Sequence, residues 1–323
     1  MPGCSPMISH TEVLLSAMPV YILTLLGAVL RGTGTIAKEH IDGITRLVYS
    51  VLVPCFIVDK ILGSESIKAG SIIFSSIALG FGMIAVGILI GYLFGWLIGL
   101  EKGHGRRTFA LASGCQNFGF NAAPVVEILW GGGALAILFV HNIGVEIAIW
   151  SVGVLIMNEH GGIPWRRIIN GPLIAVAIGV LLVATNLDAH CTGPARKALS
   201  MAGAGAFPIG IMITGSAIMD LARAEKPTWK IALGSVIVRL MLVPAVFLVL
   251  AKFLPIADGL RQILVVQAAM PAAMAPILLA RIYGGRPGIA VQVVVATTVA
   301  SIFTLPWVIS LGCSWIGLKP LLP

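Results

Sequence analysis

Charge is what this chain has least of. Asp, Glu, Lys and Arg make up 11% of its 323 residues, against about 25% in ordinary soluble domains, which excludes a water-exposed globule. Cysteine is sparse as well: Cys4, Cys55, Cys115, Cys191 and Cys313 show neither Cys-x-x-Cys nor Cys/His spacing. They read as small packing residues, and no metal site is expected. No Gly-x-Ser-x-Gly, His-Glu-x-x-His or Walker sequence occurs, which argues against an enzyme and against nucleotide-driven pumping and leaves no cofactor to be expected. The net charge of +8 is nowhere gathered into a basic tract, so no nucleic-acid partner is implied. The first twelve residues lack a basic n-region, and a retained first span is expected in place of a cleaved signal peptide.

What abounds is apolar sequence, 58% of the chain. A spanning helix needs about 20 mostly apolar residues. Ten such segments can be marked, approximately 13–30, 44–62, 72–99, 109–129, 135–157, 169–187, 199–219, 231–254, 263–282 and 289–311. With the N-terminus outside, thirteen Lys and Arg fall in inner loops and seven in outer ones, Arg239 lying within a span. The positive-inside rule therefore puts both termini on the outer side of a cell membrane. Gly87, Gly91, Gly95 and Gly99 recur every fourth residue in the third span, a small-residue stripe that lets helices approach closely.

Two stretches interrupt the apolar pattern. Ser113-Gly-Cys-Gln-Asn-Phe-Gly-Phe-Asn-Ala-Ala-Pro124 sets Gln116, Asn117, Asn121, a glycine and a proline inside the fourth span. Gln267-Ala-Ala-Met-Pro-Ala-Ala-Met-Ala-Pro276 does the same in the ninth, with two prolines five residues apart. Proline removes a donor and obstructs the carbonyl one turn back, so both helices should break. Irregular backbone at membrane depth is tolerated only where protein buries it or a cavity is lined by it. Offsets agree: Pro54 and Pro208 are 154 residues apart, Trp130-Gly-Gly-Gly and Tyr283-Gly-Gly 153. A duplicated five-helix unit follows, over 11–157 and 164–312, and an odd number of spans inverts the second copy. If the breaks cross, half-helices starting near Pro124 and Pro276 aim N–H groups and positive dipole ends at the crossing point, which suits an anion such as a carboxylate.

These residues resemble the auxin efflux carrier family. Asn117-Phe-Gly-Phe-Asn-Ala-Ala-Pro124 is similar to its first crossover motif, with Ala122 in place of a glycine. Met270-Pro271, Ala280, Tyr283-Gly-Gly, Thr297-Thr298, Ser301, Thr304 and Pro306 are similar to its second half, as are Pro54 with Phe56 and Pro208 with Gly215 to the second and seventh spans. Ala275 departs from the asparagine that members often carry. The resemblance implies an elevator-like carrier, with spans one, two, six and seven as scaffold and the rest mobile. It also implies organic-anion substrates: malonate or malate for bacterial relatives, indole-3-acetate for plant ones. The short 158–167 loop favours the prokaryotic type.

The expectation is an all-α polytopic membrane protein of ten transmembrane helices in two inverted five-helix repeats, with broken helices 4 and 9 crossing. Its function would be secondary transport of small organic anions, proton-coupled or potential-driven. A sodium-coupled symporter of the bile-acid type and a non-transporting anion sensor are the alternatives. The substrate candidates are Gln116, Asn117, Asn121, Pro124, Gln267, Met270, Pro271, Met274 and Pro276. Glu127, His141 and Glu146 are the candidates for proton coupling, with Asn142 and Glu146 on one helix face and His141 about 100° away. Asp59 and Asp220 read as interfacial partners of Lys60 and Arg223, and Arg239 as a cation that snorkels or meets a carboxylate. The partners are the lipid bilayer and the solute; a homodimer is left open.

Overall fold

The computed structural model describes residues 10–67, 70–101, 103–158, 169–224 and 228–320. The 158–167 loop beyond Asn158, residue 164 and the basic residues Lys68, Lys102, Arg166, Arg167 and Lys226 lie outside these, as does Cys4.

Among the described residues the helices begin with α1 (His10–Gly32), followed by α2 (Lys38–Leu47), a π-helical turn (Val48–Leu52) and α3 (Val53–Ile61) as one continuous span. The next elements are α4 (Gly70–Leu97), α5 (His104–Gly114), α6 (Ala122–Ala148), a second π turn (Ile149–Gly153) and α7 (Val154–Met157). After them come α8 (Gly171–Ala184), α9 (Gly193–Ala204), α10 (Ala206–Ala224) and α11 (Trp229–Ile237). A third π turn (Val238–Leu242), α12 (Val243–Phe253), α13 (Asp258–Ala269), α14 (Ala275–Ile282) and α15 (Pro287–Ile316) complete the order.

Among the described residues, seven helical stretches are long and apolar enough to cross a membrane, and α8 is a shorter apolar helix. The protein is therefore an all-α polytopic membrane protein. Two features explain why fewer long helices appear than segments in the sequence. The fourth and ninth segments are each divided, into α5 with the start of α6 and into α13 with α14. The run 122–157 then joins two segments end to end. Its corner is Gly131, whose φ of +74° breaks the helical path in a region that only glycine enters without steric cost. Two of the π turns sit just before Pro54 and Pro244. A proline ring presses on the carbonyl four residues back, and widening the turn relieves that contact.

Packing divides the helices into two groups. In the first, α1 lies along α10 so closely that a Cβ on Gly27 would come within 1.9 Å of the Met212 carbonyl, and one on Gly215 within 1.9 Å of Thr24. Ser216 Oγ donates to the Gly27 carbonyl across this seam at 2.9 Å. α3 packs on α8 and α9, with Gly203 against the Phe56 backbone and Gly179 against Ile61. In the second group, α4 is the spine. A Cβ on Gly80 would meet the His141 carbonyl at 2.1 Å, one on Gly87 the Gly114 carbonyl at 2.6 Å, and one on Gly91 Ser113 Oγ at 2.5 Å. The small-residue stripe is thus a helix contact, with one correction: Gly99 has nothing nearby and instead turns the chain at φ +73° beyond the end of α4.

Charged partners also differ from expectation. Asp59 accepts from Arg196 at 2.6 Å and Asp220 from Arg31 at 2.9 Å, because packing brings α9 beside α3 and α1 beside α10. Lys60 instead holds Glu127 at 2.5 Å, linking α3 to α6 across the two groups.

Candidate functional site

Both interruptions are real breaks, and they cross. α5 stops at Gly114 and α6 starts at Ala122; α13 stops at Ala269 and α14 starts at Ala275. The two extended stretches between them pair antiparallel at Gln116 and Ala272. The Asn117 N–H donates to the Pro271 carbonyl at 2.7 Å, and the Ala273 N–H to the Cys115 carbonyl at 2.9 Å. Each break therefore supplies the backbone partners that the other lost on leaving its helix, which lipid cannot do. Thr297 of α15 accepts from the Ala272 N–H at 3.1 Å.

A side-chain network ties the crossing to the helices beside it. Asn142 Nδ2 donates to the Phe118 carbonyl at 3.1 Å, and Gln267 Nε2 donates to Asn142 Oδ1 at 3.1 Å. Arg239, wholly buried on the third π turn, donates to the Gly114, Gln267 and Ala268 carbonyls at 3.3, 3.4 and 3.2 Å. It neither snorkels nor is seen against a carboxylate; its partners are the last carbonyls of α5 and α13. The physical reason is that a helix ending inside the protein leaves acceptors and a negative dipole end that need a donor.

On the other side of the crossing lies a cavity of about 530 Å³ between the two helix groups. One wall comes from Thr45, Tyr49, Val53, Asn170, Leu173, Phe207 and Thr214 of the first group. The opposite wall is the break itself, Asn117–Phe120 and Ala273–Ala275, with Phe139, Asn142, Glu146 and Trp150. No basic side chain is among these wall residues. The starts of α6 and α14 carry no side-chain cap; the Ala123 and Ile277 N–H groups of their first turns donate to the Gly119 and Met274 carbonyls at 3.0 Å. Trp150 Nε1 donates to Glu146 Oε2 at 3.0 Å, fixing that carboxylate on the wall.

Of the residues put forward from sequence, Asn117, Met274 and Glu146 line the cavity. Gln267 reaches it through Asn142. Gln116 and Met270 are wholly buried, Gln116 with its amide 3.6 Å from Met83 Sδ. Pro271 contributes a carbonyl to the crossing, while Pro124 and Pro276 sit in the first turns of α6 and α14. Asn121 is buried at the head of α6 with its Oδ1 unpartnered, and the Gln116 and Gln267 Oε1 atoms are unpartnered too. Glu127 is engaged with Lys60. His141 is wholly buried, away from the wall that holds Glu146, so the two do not face a common space.

Sequence reading did not find the aromatic wall. Phe120 stands edge-on to Tyr49 at 5.2 Å and to Phe207 at 6.1 Å, and Phe56 to Phe207 at 4.7 Å and Phe139 at 6.1 Å. A Cβ on Gly210 would lie 2.1 Å from the Phe120 ring, which thus occupies a notch in α10. In an apolar chain these rings carry no signal that separates them from core; only Phe118 and Phe120, next to the amides, could have been flagged.

An all-α multi-pass bundle whose two broken helices cross beside a cavity has the architecture of a solute carrier. Comparison with known proteins agrees: the membrane transport protein family matches residues 12–163 and 160–309. The chain belongs to that family, the auxin efflux carrier family of transporters. It is 26% identical over 279 residues to an uncharacterized transporter of Methanothermobacter thermautotrophicus, covering 84% of this chain and 87% of that protein.

Proposed function

We propose that this protein is a secondary transporter of small organic anions, working by elevator-type alternating access. The observation that carries the reading is the cavity wall formed by both breaks together. Two uncapped helix starts contribute about half a positive charge each, which together balance one carboxylate without a lysine or arginine on the wall. The remaining wall is mainly apolar and aromatic, with Thr45, Asn142, Glu146, Asn170 and Thr214 as its polar members, which favours an acid with a hydrophobic body, auxin-like in shape, over a compact dicarboxylate such as malonate or malate.

In this reading residues 11–157 and 164–312 are the inverted repeats, and the ten sequence segments are ten spans, two of them broken. The group of α1, α2–α3 and α8–α10 is the scaffold, and the group around α4 carries the crossing. Both termini lie outside. The cavity then extends toward Ile41, Asn170 and Ala217, the inner ends of their helices, which corresponds to an inward-facing state. Glu146 is the proton-coupling candidate on the cavity wall; Asn117 and Asn142 orient the solute.

Uptake into proteoliposomes of a panel of aromatic, aliphatic mono- and dicarboxylates, with and without a pH gradient, tests this. Saturable flux of at least one acid is expected. Binding without flux for every acid would make the protein a sensor, and flux that requires sodium would move it to the symporter reading.

A further inference from the structure

We propose that Arg239 is the resident cation of the crossing: a positioning residue whose guanidinium holds the buried C-terminal ends of α5 and α13 together and does the work of a coupling metal ion there. Carriers with discontinuous helices commonly bind coupling ions at the carbonyls of half-helix C-terminal ends. Those are the groups engaged here. Gly114 ends α5, Gln267 and Ala268 lie in the last turn of α13, and all three carbonyls accept from one side chain. Each C-terminus carries about half a negative charge, so one guanidinium balances the pair. The side chain is wholly buried, and a charge at that depth persists only when its surroundings compensate it.

Position adds a second argument. Arg239 sits on a π turn preceding Pro244, and a π turn re-aims a side chain that a regular helix would direct elsewhere. The planar fork reaches carbonyls of two different helices at once, which an ammonium on a flexible stem would do less well. Arg239 is not among the residues that line the cavity. It acts through the geometry of the crossing, and by cancelling the two negative helix ends it keeps them from repelling an anion in the cavity.

This inference rests on the crossing and not on the identity of the solute. The test uses purified full-length protein in lipid nanodiscs, read by thermal melting, and the same protein in proteoliposomes, read by uptake of an acid that the wild type carries. Wild-type melting and uptake should not change when sodium is replaced by choline. Arg239→Gln should lower uptake about tenfold or more, as expected when hydrogen bonds from a charged donor are lost, with Arg239→Lys intermediate. In Arg239→Ala, millimolar guanidinium chloride should raise both melting temperature and uptake, while equal choline chloride or urea should not. A sodium requirement in the wild type, wild-type behaviour of Arg239→Gln, or the absence of guanidinium rescue in a folded Arg239→Ala would each overturn the proposal. Should Arg239→Ala not fold, the sodium comparison and the Gln and Lys variants decide it. If no acid is transported at all, the proposed function fails while the melting results still decide the role of Arg239.

Discussion

Replacing Gly210 by alanine should disable the contact that registers the two helix groups. The added Cβ would stand 2.1, 2.4 and 2.7 Å from three carbons of the Phe120 ring, about 0.8 to 1.9 Å short of ordinary carbon contact at about 3.5–4.0 Å. Phe120 has little room to retreat, since Tyr49 and Phe207 flank it edge-on. Overpacking of this kind costs about 1–3 kcal/mol, and a penalty of that size applied to one conformation changes its population about 5- to 150-fold. Phe120 belongs to the first break, so the penalty falls on the arrangement in which the crossing is seated against α10. A cysteine placed at Thr45, on the cavity wall, reports that arrangement through its labelling rate with a membrane-impermeant maleimide in oriented vesicles. Gly210→Ala should slow the labelling by the same factor and depress uptake. Unaltered labelling together with unaltered uptake would refute the reasoning, because the notch would then carry no conformational information.

Other substitutions separate the roles of neighbouring residues. Asn117→Ala should abolish uptake with normal membrane insertion, because the backbone N–H that joins the breaks is kept while the cavity amide is lost; transport at the wild-type rate would remove this residue from the site. Glu146→Gln should flatten the acceleration of uptake by an inward proton gradient, and an unchanged pH profile would return Glu146 to a packing role with Trp150. For the Lys60–Glu127 pair, part-exposed on both sides and worth about 0–1 kcal/mol, either single charge reversal should alter exchange rates modestly. The double reversal should restore them, and additive effects would show that the pair does not couple the groups. Gly144→Leu should lower the melting temperature sharply, since even a Cβ there would approach the Ile77 carbonyl to 1.9 Å; a stable variant would mean that α4 and α6 can part at little cost.

Local chemistry was legible in the sequence, and three-dimensional neighbourhood was not. Proline, glycine and clustered amides inside apolar runs have few structural explanations, which is why the breaks at 115–121 and 270–274 could be anticipated within a few residues. The face shared by Asn142 and Glu146 followed from helical periodicity alone. By contrast Asp59, Asp220 and Lys60 took partners from distant helices, a choice made by packing that no local spacing encodes. Arg239 was misread because the sequence offers carboxylates as its natural partners; its real partners are backbone carbonyls, invisible until two helix ends are brought to the same place. Gln116 shows the same limit from the other side: the motif places an amide at the break, and packing alone decides that its side chain lies wholly buried beside Met83.

The glycine seams described above make the molecule unevenly hard. Inside each helix group, backbone meets backbone with no side-chain layer to compress, at Gly27 and Gly215 in one and at Gly80, Gly87 and Gly144 in the other. Between the groups side chains meet: ring edges, Phe56 on Phe139 and Tyr49 on Phe120, the Lys60–Glu127 pair, and Tyr21 donating to the Ser301 carbonyl at 2.9 Å. Stress on such a body is resisted inside each group, where touching backbones have nothing to compress, and is met between the groups by side chains, which can repack.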